Sequence, residues 1–306
     1  MRHLQSGATA HVYACTDWEG DTDVGFVEGD FAVKVHRADC DHARMEARRE
    51  LAALQRLKRS KDEMPFVVKL HFVDNLCAAV PIFGFELCSG GDLFDLFRYG
   101  PLSEKDTAHY AVELASAISH LHATNIMHTD IKPENIGLST DGHLRLFDLG
   151  SARILEDDEP IELSSGTLHY ASPEVLLRRP CGYAADWWSF GVIMFEMMFG
   201  VQAFYARSQD EVVDRIVHVD LDLPLTPHRS AEAVKFVTDI LKFCPEERLQ
   251  SLRACCDHPF LSQVDLDLVM SETWVPIKYT YVCFEQDKTP LQEVADGSSK
   301  KPKSFF

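Results

Sequence analysis

Four polar residues near the middle of the chain have side chains of the types that transfer of a phosphoryl group needs. Asp130, Lys132 and Asn135 lie close together, and Asp148 follows a short apolar run further along. The Asp148 carboxylate and the Asn135 amide oxygen are hard ligands of the kind that Mg²⁺ prefers. Asp130 would orient a hydroxyl and accept its proton, while Lys132 would steady the phosphate. Because phosphoryl transfer depends on positioning and charge neutralisation, this group predicts such a site.

A fifth candidate, Lys34, is the one charged residue in the apolar segment Ala32–Val35. A lysine among such neighbours is costly unless an acid pairs with it. The helical segment that follows offers Glu46 and Glu50, one turn apart. The alternative is an edge-strand lysine in solvent, with both glutamates on a wet helix face.

The first third of the chain is expected to supply strands that position these groups. Alternating apolar residues predict strands at His11–Cys15 and Phe31–Val35, with the acidic segment Trp18–Asp30 as their connection. Cys40–Lys61 changes to helical spacing, and Cys88–Asp92 has the composition of a flexible joint. We therefore predict a small strand-rich lobe over residues 1–87.

Beyond this joint the chain is predicted to be mostly helical. Ser103–Asp106 is typical of a helix cap before a helix at Ala108–His122. Further helices are expected at Trp187–Phe199, Asp210–Val217 and Ala231–Phe243, and short strands at Asn135–Leu138 and His143–Phe147. We predict a helix-rich lobe over residues 88–260 and a tail over residues 261–306.

Composition and charge exclude several classes of protein. The 306 residues carry a formal charge of −18, which repels nucleic acid and suits a basic partner. Nine cysteines without CxxC spacing predict reduced thiols and a cytoplasmic or nuclear location, and Met1–His11 lacks the apolar core of a secretory signal. The longest apolar stretch, Trp187–Phe204, contains Glu196, so we expect a buried helix and no membrane span. A monomer is expected.

The segments His128–Asn135, Phe147–Gly150 and Ser172–Glu174, in this order, resemble motifs of the eukaryotic protein kinases. Lys-Pro-Glu-Asn in the first segment has the spacing of the Ser/Thr branch, and Trp187-Trp188 resembles the AGC or calmodulin-dependent groups. The resemblance spans about residues 4–260. It implies an AGC-like, basophilic kinase with an α+β bilobal fold. It also implies Mg²⁺ and ATP as cofactors and transfer of the γ-phosphate to Ser or Thr of protein substrates.

The resemblance also implies roles for individual residues. It favours Glu50 over Glu46 as the partner of Lys34, because the leucines after Glu50 have the spacing of the kinase αC helix. The implied catalytic residues are Asp130, Lys132, Lys34 and Glu50, and the implied metal ligands are Asn135 and Asp148. The implied ATP-binding residues are Leu4, Gly7, Val12, Ala32, Lys34, Phe85, Glu86, Cys88, Asp92 and Gly137, with Glu86 to Cys88 as the adenine-binding hinge.

The chain departs from the family pattern around the nucleotide. Gln5 and Ala10 replace two glycines of the phosphate-covering loop, whereas Gly7 remains where the backbone must approach phosphate most closely. Gly137 replaces the bulky apolar residue below the adenine, so a void or a shifted neighbour is expected there. Leu149 replaces the usual Phe of the Asp-Phe-Gly motif, and we expect this swap of similar volume to be tolerated.

Two further departures concern regulation. Thr129 replaces the arginine that usually precedes the catalytic aspartate, and Leu163 stands where AGC kinases carry a phosphorylated threonine. The arginine that clamps a phosphate and the residue that carries it are both absent. We therefore expect activity that is independent of phosphorylation in the activation segment, including at Ser164 and Ser165.

Acidic residues around the implied substrate cleft predict the substrate class. Asp92, Glu134 and Asp214 fall where basophilic relatives place acids, which predicts Arg or Lys two or three residues before the Ser or Thr. Thr167 resembles the threonine that contacts the catalytic Asp and Lys of Ser/Thr kinases. The alternative is that the three acids are ordinary solvated side chains.

Three structural expectations accompany the resemblance. Asp186 is expected to hold the backbone of the catalytic loop, and Glu174 is expected to pair with Arg248 in a bridge that stabilises the fold. Trp274 and the terminal Phe305-Phe306 invite comparison with AGC tails that dock on the small lobe, although the usual Phe-x-x-Phe pattern is missing.

Two other functions stay open at this point. A pseudokinase that binds nucleotide and partners without turnover is favoured by Ala10, Gly137 and Thr129. A small-molecule kinase is disfavoured, because Thr167–Tyr170 and Ser172–Glu174 resemble a platform for protein substrates.

Overall fold

The computed structural model describes residues 1–20, 24–60, 65–74, 80–156, 159–163, 166–224 and 228–273. The first third forms a five-stranded antiparallel sheet with one helix. The strands are β1 (Arg2–Ser6), β2 (Ala10–Glu19), β3 (Phe26–His36), β4 (Leu70–Asp74) and β5 (Ile82–Glu86), and the helix is α1 (Asp41–Arg59). In the order β1-β2-β3-β5-β4, strand β3 is central, so Lys34 lies between Val12 and Phe83.

The acidic segment that was expected to connect the two strands is itself mostly strand among its described residues, so that prediction was wrong. Trp18 pairs with Val27 across the hairpin. Its ring stacks on Phe72 at 5.5 Å, and its Nε1 donates a hydrogen bond of 2.7 Å to Asp74. These buried contacts of one aromatic residue outweigh the acidic composition around it, which is why composition alone did not reveal the strands.

The rest of the described chain is mostly helical. Its helices are α2 (Leu93–Phe97), α3 (Glu104–Ala123), α4 (Pro173–Leu176), α5 (Ala184–Phe199), α6 (Gln209–His218), α7 (Ala231–Ile240), α8 (Leu252–Cys256) and α9 (Leu266–Met270). Its strands are β6 (Ile126–Met127), β7 (Ile136–Leu138), β8 (Leu144–Leu146) and β9 (Arg153–Ile154), paired as β6 with β9 and β7 with β8. The predicted α+β fold is therefore confirmed, whereas the lobe boundaries stay predictions.

The core of the helical part lies around α5, because every residue of this helix is buried. The predicted cap of α3 is present, since Ser103 accepts a hydrogen bond of 3.0 Å from the Asp106 backbone. Helix α7 ends at Ile240, before the expected Phe243. The Arg248 guanidinium donates hydrogen bonds to the backbone carbonyls of Lys242 and Phe243. These bonds stabilise a non-helical backbone after Ile240.

The first part of the predicted tail is folded. Helix α9 belongs to the predicted tail, yet it packs on the helical lobe through Val269, which is fully buried. Trp274 and Phe305-Phe306 lie outside the described residues. The cysteines among the described residues are free thiols, whereas Cys77 and Cys283 lie outside that part. No helix in the described ranges is long and apolar enough to cross a membrane.

Candidate active site

Strand β3 and helix α1 bring an ion pair into the cleft. The Lys34 Nζ atom lies 2.8 Å from a Glu50 carboxylate oxygen and 2.7 Å from the Asp148 Oδ1 atom. Glu50, which the resemblance favoured, contacts Lys34, whereas Glu46 lies 3.1 Å from His42. Burial raises the pKa of Glu50 to about 7, and the nearby Lys34 charge opposes that rise. The three charged groups form one network that joins the sheet, α1 and the Asp148 turn.

Asp148 lies at a sharp turn directly after β8. Its φ of +66° is in the left-handed region, where a residue with a short polar side chain is tolerated best after glycine. Its Oδ1 atom accepts a hydrogen bond of 3.3 Å from the Gly150 backbone, which stabilises this conformation. Although desolvation in the cleft would raise the pKa of Asp148, the Lys34 charge and hydrogen bond outweigh it and lower this pKa. Asp148 therefore stays ionised.

Asp130 is surrounded by groups that fix its carboxylate. Lys132 Nζ lies 2.7 Å from Oδ2, and the Thr167 hydroxyl donates a hydrogen bond of 2.8 Å to Oδ1. Lys132 Nζ also donates to the Thr167 hydroxyl oxygen at 3.1 Å. The structure thus brings Thr167 against both residues that the resemblance named as its partners. Asp130 faces the cleft in a fixed orientation that suits the binding of a hydroxyl.

Helix α5 holds the backbone of the loop that precedes Asp130. The buried Asp186 carboxylate accepts hydrogen bonds from the backbone N–H groups of His128, at 2.8 Å, and Thr129, at 2.9 Å. His122 contacts the same carboxylate at 2.9 Å. The expected role of Asp186 in fixing the loop backbone is confirmed.

The residues available for a divalent cation fit Mg²⁺. Asn135 donates from its amide nitrogen to the Asp130 carbonyl at 2.8 Å and to Asp130 Oδ2 at 3.2 Å, which leaves its amide oxygen for a cation. Asp148 offers an ionised carboxylate with 42% of its side chain exposed. An amide oxygen and a carboxylate are the hard oxygen donors that Mg²⁺ takes, with the remaining positions for phosphate and water.

The implied ATP-binding residues lie along the sheet and the segment that follows β5. Leu4 is exposed in β1, Gly7 is in the turn before β2, and Val12 and Ala32 are half-buried in β2 and β3. The Gly7 backbone N–H donates a hydrogen bond of 2.9 Å to the Ala10 carbonyl, so the turn forms a tight hairpin although Gln5 and Ala10 replace glycines.

The segment after β5 connects the sheet to the helical part. Phe85 is buried in β5, Glu86 is half-buried as the last residue of that strand, and Cys88 is half-buried after it. Asp92 caps α2, since its carboxylate accepts a hydrogen bond of 2.8 Å from the Asp95 backbone. The resemblance gives Asp92 a role in ligand binding, and its geometry gives it this capping role as well.

Gly137 has the shifted neighbour that the sequence led us to expect. A Cβ atom at residue 137 would lie 2.7 Å from the Cys88 Sγ atom and 3.0 Å from the Phe147 ring. The Cys88 side chain therefore fills the space that a larger residue at 137 would occupy. Burial, with a contribution from the Glu86 charge, raises the pKa of Cys88 to about 12, so the thiol is neutral and behaves as an apolar group.

The acidic residues implied for substrate binding occupy different surroundings. Glu134 has a buried Oε2 atom for which the described residues supply no hydrogen-bond partner. Asp214, by contrast, is exposed on α6, where it lies 3.2 Å from His218. Burial raises the pKa of Asp92, and repulsion from Asp95 and Glu134 adds to the rise.

One acidic residue in this region was not singled out from the sequence. Glu196 of α5 is buried; its Oε2 atom accepts a hydrogen bond of 2.8 Å from the Tyr170 hydroxyl. Its Oε1 atom has no partner among the described residues. Burial raises the pKa of Glu196 to about 8, and repulsion from Glu134 contributes. The sequence signal was a lone glutamate inside an apolar helix, which we used only to exclude a membrane span.

The residues at the two regulatory departures are integrated into the protein. The Thr129 hydroxyl donates a hydrogen bond of 2.8 Å to the Ser151 carbonyl. Leu163 is buried in an apolar cluster with Met127 and Leu155. At these two positions the chain therefore uses a hydroxyl and an apolar side chain to hold the segment that follows Asp148. Ser164 and Ser165 lie outside the described residues.

The expected ion pair between Glu174 and Arg248 is confirmed. Two parallel contacts of 2.7 Å join the guanidinium of Arg248 to the carboxylate of Glu174. Arg248 also donates to the Ala184 carbonyl at 3.0 Å and lies over the Trp188 ring. Through these contacts Arg248 links α4, which follows Thr167, to the start of α5.

Comparison with known proteins agrees with this geometry. A family model described as protein kinase domain matches residues 1–261. Over 207 residues the chain is 37% identical to ribosomal protein S6 kinase 2 alpha from Gallus gallus, covering 66% of this chain and 27% of that protein. Over 219 residues it is 36% identical to ribosomal protein S6 kinase alpha-6 from Homo sapiens, covering 70% and 29% respectively.

The chain belongs to the protein kinase domain family. Its similarity to the ribosomal protein S6 kinases supports the expected place among AGC-like Ser/Thr kinases. The chain spans less than a third of the length of these curated relatives.

Proposed function

We propose that this protein transfers the γ-phosphate of ATP to Ser or Thr residues of protein substrates with Mg²⁺ as cofactor. The observation that carries the proposal is the simultaneous contact of Lys34 with Glu50 and Asp148. This contact brings residues that are remote in sequence to one cleft. The Lys34 ammonium group can bind nucleotide phosphate there, beside a carboxylate of Asp148 that can bind Mg²⁺. The family membership and the names of the similar kinases support the same activity.

The contacts support a role for each side chain in this reaction. Lys34, held by Glu50, binds and orients nucleotide phosphate oxygens, while Asp148 and Asn135 bind the cation. Asp130 orients the substrate hydroxyl and accepts its proton, while Lys132 steadies the phosphate during transfer. When bound, Mg²⁺ with ATP supplies the phosphoryl group and neutralises charge that develops on it.

A second candidate function is a nucleotide-binding scaffold without turnover. Ala10 at the start of β2, Gly137 in β7 and Thr129 before Asp130 are the departures that favour it. Labelled phosphate from Mg-ATP appearing in a Ser or Thr peptide would exclude the scaffold. Magnesium-dependent nucleotide binding without any incorporation would instead contradict the proposed enzyme.

We propose further that the substrates carry arginine or lysine before the phosphorylated residue. Glu134 and Glu196 each have a buried carboxylate oxygen without a partner among the described residues, and mutual repulsion couples them. Such a pair is costly by itself, and a guanidinium with several donors would satisfy both acids. Tyr170, which binds Glu196, follows closely after Thr167, so the pair lies near the position where a substrate hydroxyl would bind Asp130.

The affinity for an arginine-containing peptide is expected to rise with pH. Because the pKa of Glu196 is raised to about 8, this carboxyl is mostly protonated at pH 7. A bound guanidinium favours the charged form, so binding releases a proton, and affinity increases as the pH rises from 7 toward and through 8. Peptide KM measured from pH 6.5 to 8.5 should fall over this range, and calorimetry in buffers of different ionisation enthalpy should detect the released proton.

The matched variant for this prediction is Glu196→Gln. It should remove the pH dependence of the peptide KM and raise that KM by roughly 10-fold or more, because a hydrogen bond to a charged group is lost. A peptide with glutamine in place of arginine should bind wild type and variant equally. Equal KM values for the arginine and glutamine peptides on the wild type would contradict the proposed specificity.

We also propose that activity does not depend on phosphorylation of the activation segment. Leu163 is buried among apolar side chains, an environment that a phosphate cannot enter without a large desolvation cost. Arg56 of α1 lies 3.7 Å from Glu156, so a carboxylate of the segment already contacts a basic residue of α1.

Phosphatase treatment is expected to leave the specific activity within a factor of two. The reason is that the contacts of Thr129 and Leu163 do not require a phosphate. Mass spectrometry before and after treatment identifies the modified positions, and a mock-treated sample is the control. Loss of activity on dephosphorylation of Ser164 or Ser165 would show that the segment is switched by phosphate.

The monomeric state and the cytoplasmic or nuclear location stay predictions.

A further inference from the structure

Glu272, which lies beyond the matched kinase domain, is connected through Arg145 to Glu86 at the end of β5. Glu272, two residues after α9, has a φ of +53°, a conformation that side chains other than glycine seldom adopt without support. Its backbone carbonyl accepts a hydrogen bond of 2.8 Å from the buried His143, and its carboxylate lies 2.7 Å from Arg145. Both partners belong to β8 or the residue before it. Glu272 is therefore fixed by its main chain and by its side chain.

Arg145 continues this network toward the nucleotide cleft. Its side chain is 10% exposed, and its Nε atom lies 3.0 Å from Glu86 Oε1. The same Glu86 oxygen accepts a hydrogen bond of 3.1 Å from the Lys69 backbone. The Glu86 N–H donates in turn to the Lys69 carbonyl at 2.9 Å. One carboxylate at the end of β5 thus binds the sheet through Lys69 and the helical part through Arg145.

We propose that Glu272 is a positioning residue for the nucleotide site, acting through Arg145 on Glu86. We call Glu86, Arg145 and Glu272 the hinge clasp. By fixing the Glu86 carboxylate, the clasp fixes the connection between the two parts of the molecule against which the adenine of ATP is expected to bind. This inference rests on the proposed function, because it concerns the affinity of the same nucleotide site.

The charges and burial of the clasp explain why Glu272 would act at a distance. A guanidinium between two carboxylates has a fixed planar geometry, and in a poorly solvated position its orientation responds strongly to either partner. Removal of the Glu272 charge leaves Arg145 with Glu86 as its carboxylate partner in this network and with a hydrogen bond of 2.9 Å to the Leu144 carbonyl, so the guanidinium is held less firmly in its present position. The end of β5 then loses part of the constraint that holds it against β8.

The test uses the full chain with the substitution Glu272→Gln, which removes the charge and keeps the shape. We expect the Kd for Mg-ADP, measured by titration calorimetry, and the KM for ATP to rise by roughly 3- to 10-fold. The kcat at saturating ATP should stay within a factor of two, because no group that touches the transferred phosphate is altered. Asp267→Asn is the matched control, since Asp267 is exposed in α9 of the same segment. It should change neither constant.

A double-mutant cycle separates positioning from simple destabilisation. If Glu86 and Glu272 act through Arg145, then Glu86→Gln combined with Glu272→Gln should weaken Mg-ADP binding no more than the stronger single substitution. Additive effects would overturn the coupling through Arg145. An unchanged Kd for Glu272→Gln would overturn the proposal outright, even if its melting temperature fell.

These results are distinguishable from failure of the proposed function. Mg-ADP binding needs no turnover, so a wild type that binds nucleotide but transfers no phosphate would contradict only the enzymatic proposal. A wild type that transfers phosphate, with an unchanged Kd for Glu272→Gln, would contradict only the role of the clasp.

Discussion

Replacement of Asp130 by asparagine is expected to lower kcat by roughly 10²- to 10⁴-fold. The substitution removes the basic group that accepts the hydroxyl proton. It keeps the shape of the side chain and one oxygen that can accept a hydrogen bond from Lys132 or Thr167. The shorter contact of Asn135 with this residue, 2.8 Å to the backbone carbonyl, does not depend on the side chain, so the Kd for Mg-ATP should change by less than threefold. Single-turnover phosphoryl transfer and nucleotide titration measure the two quantities separately.

The matched control for this variant is Asp141→Asn, since Asp141 is an exposed residue in the turn between β7 and β8. It should leave both kcat and the nucleotide affinity unchanged. If Asp130→Asn retained at least a third of the wild-type kcat, Asp130 would not be the group that accepts the proton. The proposed phosphoryl-transfer site would then have no identified catalytic base.

Replacement of Arg248 by alanine is expected to lower the free energy of unfolding by about 3–5 kcal/mol. The substitution leaves the Glu174 carboxylate buried without its two guanidinium contacts of 2.7 Å. It also removes donors from the carbonyls of Lys242 and Ala184. Thermal unfolding should show a Tm that is lower by roughly 10 °C.

The control for this stability prediction is Arg253→Ala. Arg253 is 91% exposed and lies 3.7 Å from Asp257 on the surface of α8. An exposed ion pair one helical turn apart contributes only about 0.3–0.5 kcal/mol. A loss of stability for Arg248→Ala no larger than for Arg253→Ala would contradict the account of the buried pair.

Apolar residues at regular helical spacing predicted helices correctly from the sequence. Helical spacing located α1 and α3, and the cap at Ser103 marked the start of α3 closely. The acidic hairpin was mistaken for a loop because the contacts of Trp18 with Phe72 and Asp74 join residues that are remote in sequence. Composition describes a segment by itself, whereas a strand is stabilised by its neighbours in the sheet.

The ion pairs of the site could be predicted from the sequence, because a lone charge in an apolar segment needs an opposite charge. The side chains that fill a gap or surround a buried acid could not, because they depend on how remote segments pack. The isolated charge of Lys34 required an acid, and the leucine spacing shared with the kinase αC helix favoured Glu50 over Glu46, as the contacts confirm. The absence of a side chain at Gly137 was visible, whereas the Cys88 thiol that fills its space was not. Burial of Glu196 was read from its apolar helix, yet its proximity to Tyr170 and Glu134 depends on how segments pack.

The central claim is that Lys34, Asp148 and Asp130 act together on a nucleotide with Mg²⁺. The most direct test measures labelled phosphate transferred from Mg-ATP to an arginine-containing Ser peptide, with the wild type beside Asp148→Ala. The account predicts incorporation by the wild type and a loss of at least roughly 10³-fold for the variant, because a cation ligand and the partner of Lys34 are removed together. Equal incorporation by both proteins, or none by a wild type that binds Mg-ATP, would contradict it.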